Sequence, residues 1–105
     1  MQDAACVVSG VIRFPCDYAV LRPRIAAALE ALAAEIRAAG GIVGHVKAAA
    51  EVTETEMFSV TDVKAMVKTA PEQELCLKMA AIVFAVEPET VEAMLERTLR
   101  TLRQK

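Results

Sequence analysis

The chain has 105 residues, 55% of them hydrophobic, with 12 basic and 14 acidic side chains and a net charge of −2. That length and apolar content fit a single domain spanning residues 1–105 with its own core, and exclude a disordered chain. With charges interleaved, no basic surplus and only three Phe and one Tyr, there is little to hold a phosphate backbone or stack on bases, so nucleic acid is not an expected partner.

Cys6–Phe14, CVVSGVIRF, is rich in β-branched residues and predicts a first strand. Val8, Gly10, Ile12 and Phe14 share one face, and Val7, Ser9, Val11 and Arg13 share the other. Asp17 can cap a first turn, and Pro23 suits the opening of a helix but not its interior. The main helix is therefore expected from about Pro23 to Ala39, with Ile25, Leu29, Leu32 and Ile36 as its apolar stripe and Gly40 as its stop.

Gly40–Val52, GGIVGHVKAAAEV, alternates next. Ile42, Gly44, Val46, Ala48, Ala50 and Val52 fall on one parity; Val43, His45, Lys47, Ala49 and Glu51 fall on the other. We read it as a central strand with one face on the core. Met57–Thr61 and Val63–Lys68 predict two further short strands, the second with a single helical turn as its alternative. Leu75–Val86 is the longest apolar run and reads as a long central strand covered to some extent on both faces. Glu87-Pro88-Glu89 then opens a second helix, with acids near its start, bases near its end, and a stripe of Val91, Met94, Leu95, Thr98, Leu99 and Leu102.

The order β-α-β-β-β-β-α predicts an α+β two-layer sandwich, ferredoxin-like in spirit. A mainly antiparallel meander would carry both helices on one face. No apolar run reaches the ~18–20 residues of a membrane span, and MQDAACVVSG lacks the pattern of a secretion signal. A cytoplasmic protein without membrane contact is expected. Cys6, Cys16 and Cys76 are then free thiols.

Chemistry is sparse. There is no GxxxxGK[ST] and no GxGxxG, so no phosphate loop and no dinucleotide fingerprint. A Cys–His nucleophile needs mutual geometry that the sequence does not supply, and no enzyme is expected. His45 and Cys76 share the outward parity of their strands and are candidate ligands for a divalent transition metal, with Cys16 and Glu51 as further donors. The paired short spacing of a structural zinc site is absent, and a site assembled between two subunits would escape that rule. The outward face of the sheet is the stronger signal. Val43, His45, Ala49, Ile82, Phe84 and Val86 would lie there beside Ala80, flanked by Lys47, Lys78 and Glu51. That is more apolar than a solvated face should be, and predicts a homo-oligomer or a protein partner.

GIVGHVKAAAEV, EMFSVTD and ELCLKMAAIVFAVEPETVEAMLERTL, in that order, resemble the C-terminal part of CobW-type GTPases and metallochaperones over about residues 21–102. His45 and Lys47 match a histidine-x-lysine step on the family's strand, and Glu87, Pro88 and Glu89 match its acid–proline–acid opening of the last helix. The chain lacks the family's GTPase domain, with its phosphate loop and CxCC-like metal motif, and it contains no asparagine where the family commonly has one on the last strand. The resemblance therefore implies an accessory module with a GTPase domain as its partner, and implies no GTP hydrolysis.

Overall fold

The structure, a computed structural model, describes residues 5–55, 58–59, 67–68 and 72–104. The elements are β1 (Cys6–Pro15), α1 (Tyr18–Ala38), β2 (Ile42–Thr55), β3 (Phe58–Ser59), β4 (Val67–Lys68), β5 (Glu72–Phe84) and α2 (Pro88–Arg103). The expected α+β sandwich is present. One antiparallel sheet runs in the order β1-β5-β2, and two helices cover one of its faces. Both outer strands run antiparallel to β5, so β1 and β2 are parallel to each other with β5 between them.

The meander is not formed. β2 pairs directly with β5 over nearly its whole length, from Ile42–Phe84 to Thr55–Glu72, and β3 pairs with β4 in a separate two-stranded sheet. Of the two short strands expected between β2 and β5, Phe58–Ser59 and Val67–Lys68 are seen as strand; the rest of Met57–Thr61 and Val63–Lys68, with the alternative of a helical turn there, lies outside the described residues.

Of the two strands expected at the centre, Leu75–Val86 is there and Gly40–Val52 is at the edge. β2 contributes no buried residue, and from Ala49 onward every residue is exposed. The centre is β5, with Leu75, Leu77, Met79, Ala81 and Val83 all at or below 1% exposure. Alternation reports which residues share a face, and it carries no information on how many neighbours a strand has. The core closes with Val8 and Phe14 from β1, Leu21, Ile25, Leu32 and Ile36 from α1, and Val91, Leu95, Leu99 and Leu102 from α2. Met94, placed on the buried stripe by its spacing, is partly buried against that core. α2 packs on β1 and α1 packs on β2. Gly10 sets the first contact: a Cβ there would stand 2.8 Å from Leu95 Cδ2 and 3.0 Å from Leu99 Cδ1.

α1 begins five residues before its expected start, leaving Pro23 inside the helix. A proline there removes one intrahelical donor, yet the new start is well satisfied. The amide of Tyr18 donates to Gln73 Oε1 at 2.9 Å, that of Ala19 to Asp17 Oδ1 at 3.1 Å, and those of Val20 and Leu21 to the Asp17 carbonyl. All four N-terminal amides thus find acceptors. At the other end Gly40 (φ 92) donates to the Arg37 carbonyl and Gly41 to that of Ile36, a Schellman closure that needs glycine at its left-handed position. No helix among the described residues is long and apolar enough to cross a membrane.

Candidate functional site: the open face of the sheet

Directly opposed residues in adjacent strands share a face, so the register defines what the helices leave uncovered. Across β1, β5 and β2 the open face reads Val7, Ile82, His45; then Ser9, Ala80, Lys47; then Val11, Lys78, Ala49; then Arg13, Cys76, Glu51. Phe84 and Ile42 sit above the first of these rows. Val7, Val11 and Ile42 are 70%, 58% and 59% exposed, while Ile82 and Phe84 on the central strand are half-buried.

Four of the six expected interface residues lie on this face: His45, Ala49, Ile82 and Phe84. Val43 does not. The register shifts between Val43 and His45, with Gly44 as the extra residue of a bulge. Two residues then oppose one, and the parity of the strand reverses across them. Val43 consequently pairs with Val83 and packs on the core, while Ile42, assigned to the core by simple alternation, faces out beside Phe84. Val86 is the second correction. β5 ends at Phe84, Ala85 takes a left-handed φ of 61, and Val86 turns in against the core. A left-handed non-glycine residue costs about 1–2 kcal/mol, and the turn it makes brings Val86 onto the core.

Val7, Val11, Arg13 and Ile42 belong to the open face and were absent from the expected set. The alternation of β1 had already separated Val7, Val11 and Arg13 from the core residues. Alternation does not say which strand lies beside β1, and in the structure that neighbour is β5.

His45 lies opposite Ile82 and Cys76 lies opposite Glu51. Six strand positions separate them, about 20 Å at ~3.3 Å per residue, so the two cannot ligate one ion within a chain. Among the described residues no group of three His, Cys, Asp or Glu side chains is placed to hold a metal, and no polar or charged residue is buried. Cys16 sits apart from the face, in a hollow at the Pro15 end of the sheet with Asp17, Glu54 and Glu74. Gln73 ties that end together, giving its side-chain carbonyl to Tyr18 and donating from Nε2 to Glu54 Oε2 at 3.0 Å. Burial, and secondarily the Asp17 carboxylate, raise the pKa of the Cys16 thiol.

The centre of the open face is a shallow hollow. Its floor is Ser9, Ala49 and Ala80, and Lys47 and Lys78 stand on its rim. The arrangement is apolar area edged by fixed charge, and among the described residues no acid, base and nucleophile converge on it. No family model matches the chain, and no curated protein matches it.

Proposed function

We propose that this chain is a non-enzymatic interaction module that pairs with a second copy of itself through the open sheet face. The observation that carries the reading is the uncovered row of Val7, Val11, Ile42, Ile82 and Phe84 on a sheet whose helices all lie on the other side. Contiguous exposed apolar surface of this kind marks partner sites, and a two-fold dimer is the simplest symmetric cover.

Charge supports a second copy over an unrelated partner. Arg13 on β1 and Glu51 on β2 flank Cys76 at one level of the sheet. A two-fold axis running along β5 lays β1 of one copy over β2 of the other. Each Arg13 then meets Glu51 of the second copy, Val7 meets His45, and Ile82 and Phe84 meet their own equivalents. Lys78, which falls near the axis, has a stem long enough to swing toward Glu51 of the second copy. Three strands at ~4.8 Å and ten positions at ~3.3 Å give roughly 500 Å² per copy before side-chain relief. The total of about 1,000 Å² is the lower end for a specific interface. The expected dimer is therefore a reversible one. The likeness to the accessory part of CobW-type proteins agrees with a module of this kind, and a GTPase domain would be the other occupant.

Sedimentation equilibrium and native mass spectrometry test the proposal. The wild-type chain should show a concentration-dependent dimer. Ile82→Glu, which places a charge at the centre of the apolar row, should give a folded monomer by circular dichroism. A wild-type chain that stays monomeric to hundreds of micromolar, or an Ile82→Glu chain that dimerises unchanged, would reject it.

A further inference from the structure

We infer that the outer edge of β1 accepts an extended segment of a partner protein as a fourth strand, with basic residues at the segment's end beside Cys6 and acidic residues at its end beside Phe14. This surface is separate from the open face. It concerns the plane of the sheet, where the backbone groups of β1 that point away from β5 have no strand partner among the described residues.

Natural edge strands are guarded by short length, proline, bulges or lysine. β1 has none of these over Cys6–Phe14. It holds an unbroken register with β5 at ten successive positions, its only proline is its last residue, and its only charge is Arg13. A strand added at ~4.8 Å beyond β1 would pair its outward-pointing backbone groups.

Helix placement and charge point to a bare segment as the occupant. A second copy cannot add its own sheet here with its helices on the same side. α2 lies over β1 and α1 lies over β2. Joining β1 to either outer strand beneath a helix of a second copy would bring two helix axes to about 5 Å, where packed helices need ~8–10 Å. A bare extended segment avoids that clash. The flank of α2 above it is set by the helix's own contacts. Val91, Leu95, Leu99 and Leu102 face the sheet, and Arg97, Thr98 and Thr101 face α1, with Arg97 paired to Glu35. Glu92, Glu96 and Arg103 therefore lie on the side over the β1 edge. α2 runs from the Cys6 end of β1 toward the Phe14 end, where Arg103 lies near Phe14. Glu92 thus overlooks the Cys6 half of the edge, Glu96 its middle beside Gly10 and Arg103 the far end, and Arg13 adds a second cation at the Phe14 end on the open side.

The probe is a capped nine-residue peptide, Glu-Val-Thr-Val-Thr-Val-Thr-Val-Lys, titrated into isotope-labelled Ile82→Glu protein, so that loss of self-association cannot be confused with loss of the edge. Saturable shifts should run along the Cys6–Phe14 amides, with slowed hydrogen exchange there. The fully N-methylated peptide, which cannot form a ladder, should not bind. Arg13→Glu with Arg103→Glu should weaken binding by about threefold or more. If Ile82→Glu proves unfolded, Phe84→Glu serves in its place. No saturable binding at millimolar peptide, shifts confined to β2 or to the open face, or equal binding of the N-methylated peptide would each overturn the inference.

Discussion

Cys16 shows how much a single side chain's surroundings matter. Its sequence neighbours are Pro15 and Asp17, and nothing in that tripeptide marks it out from Cys6 or Cys76. The fold places it in the hollow between the N-terminus of α1 and the β2–β5 ladder, where burial and the Asp17 carboxylate both disfavour the thiolate. Because the folded pKa is raised above the unfolded one, the native state holds the proton more tightly. The associated stability is fully present below the ordinary thiol value and is lost as pH rises from that value toward the folded one. Iodoacetamide alkylation of Cys16, followed by peptide mass spectrometry across a pH series, should therefore have its midpoint above that of the unfolded chain in urea. A midpoint equal to the unfolded one would show that the hollow does not shield the thiol. Gly44 teaches the same lesson at the backbone. A bulge at that one residue reverses the strand's parity, so Val43 goes to the core and Ile42 to the open face. Alternation read from the sequence cannot detect an extra residue, because the bulged strand has the same composition as a regular one.

At the scale of elements, the helices were legible and the sheet order was not. The stripe of α2 gave Val91, Leu95, Leu99 and Leu102, all buried, and Pro88 marked its first turn. α1 was found by its stripe, but its start was masked by Pro23, because acceptors for the earlier amides come partly from Gln73, 55 residues away. The joint between α2 and β1 depends on Gly10. Any side chain there enters space filled by Leu95 at 1% exposure and Leu99 at 4%. Gly10→Val should raise local strand propensity and stiffen the unfolded chain, worth about 0.5–1 kcal/mol. Overpacking against the two leucines costs about 1–3 kcal/mol. The expected net effect is destabilisation by about 1–2 kcal/mol, read as a lower urea midpoint at unchanged slope. A gain in stability would mean that the leucines retreat freely and that the strand–helix contact is looser than its distances indicate.

For the whole molecule, the three-stranded sheet with both helices on one side leaves one face and the β1 edge uncovered among the described residues. The dimer proposed for the face makes a geometric prediction. An axis along β5 brings Cys76 of one copy over Cys76 of the other, with sheets about 10 Å apart. That spacing exceeds the ~4.4–6.8 Å between Cα atoms in a disulfide, so air oxidation should not link them, whereas a short bis-maleimide should. In a Cys6→Ser, Cys16→Ser background the covalent dimer should form with the reagent, and Ile82→Glu should abolish it. Efficient linking in the Ile82→Glu background would show that collision, not the open face, brings the thiols together.

The sequence by itself determined the α+β class, the two helices, the faces of β1 and β5, and the apolar outward row at Ile82 and Phe84. Each of these follows from periodicity and composition within a single element, which local chain geometry dictates. Only the tertiary structure decided that β2 is an edge, that β2 pairs with β5 and not with β3, that Val43 and Val86 turn inward, and that His45 and Cys76 stand far apart. Those depend on pairings between residues tens of positions apart. Pairing is chosen by the fit of the assembled core, a property that no single stretch of the chain carries.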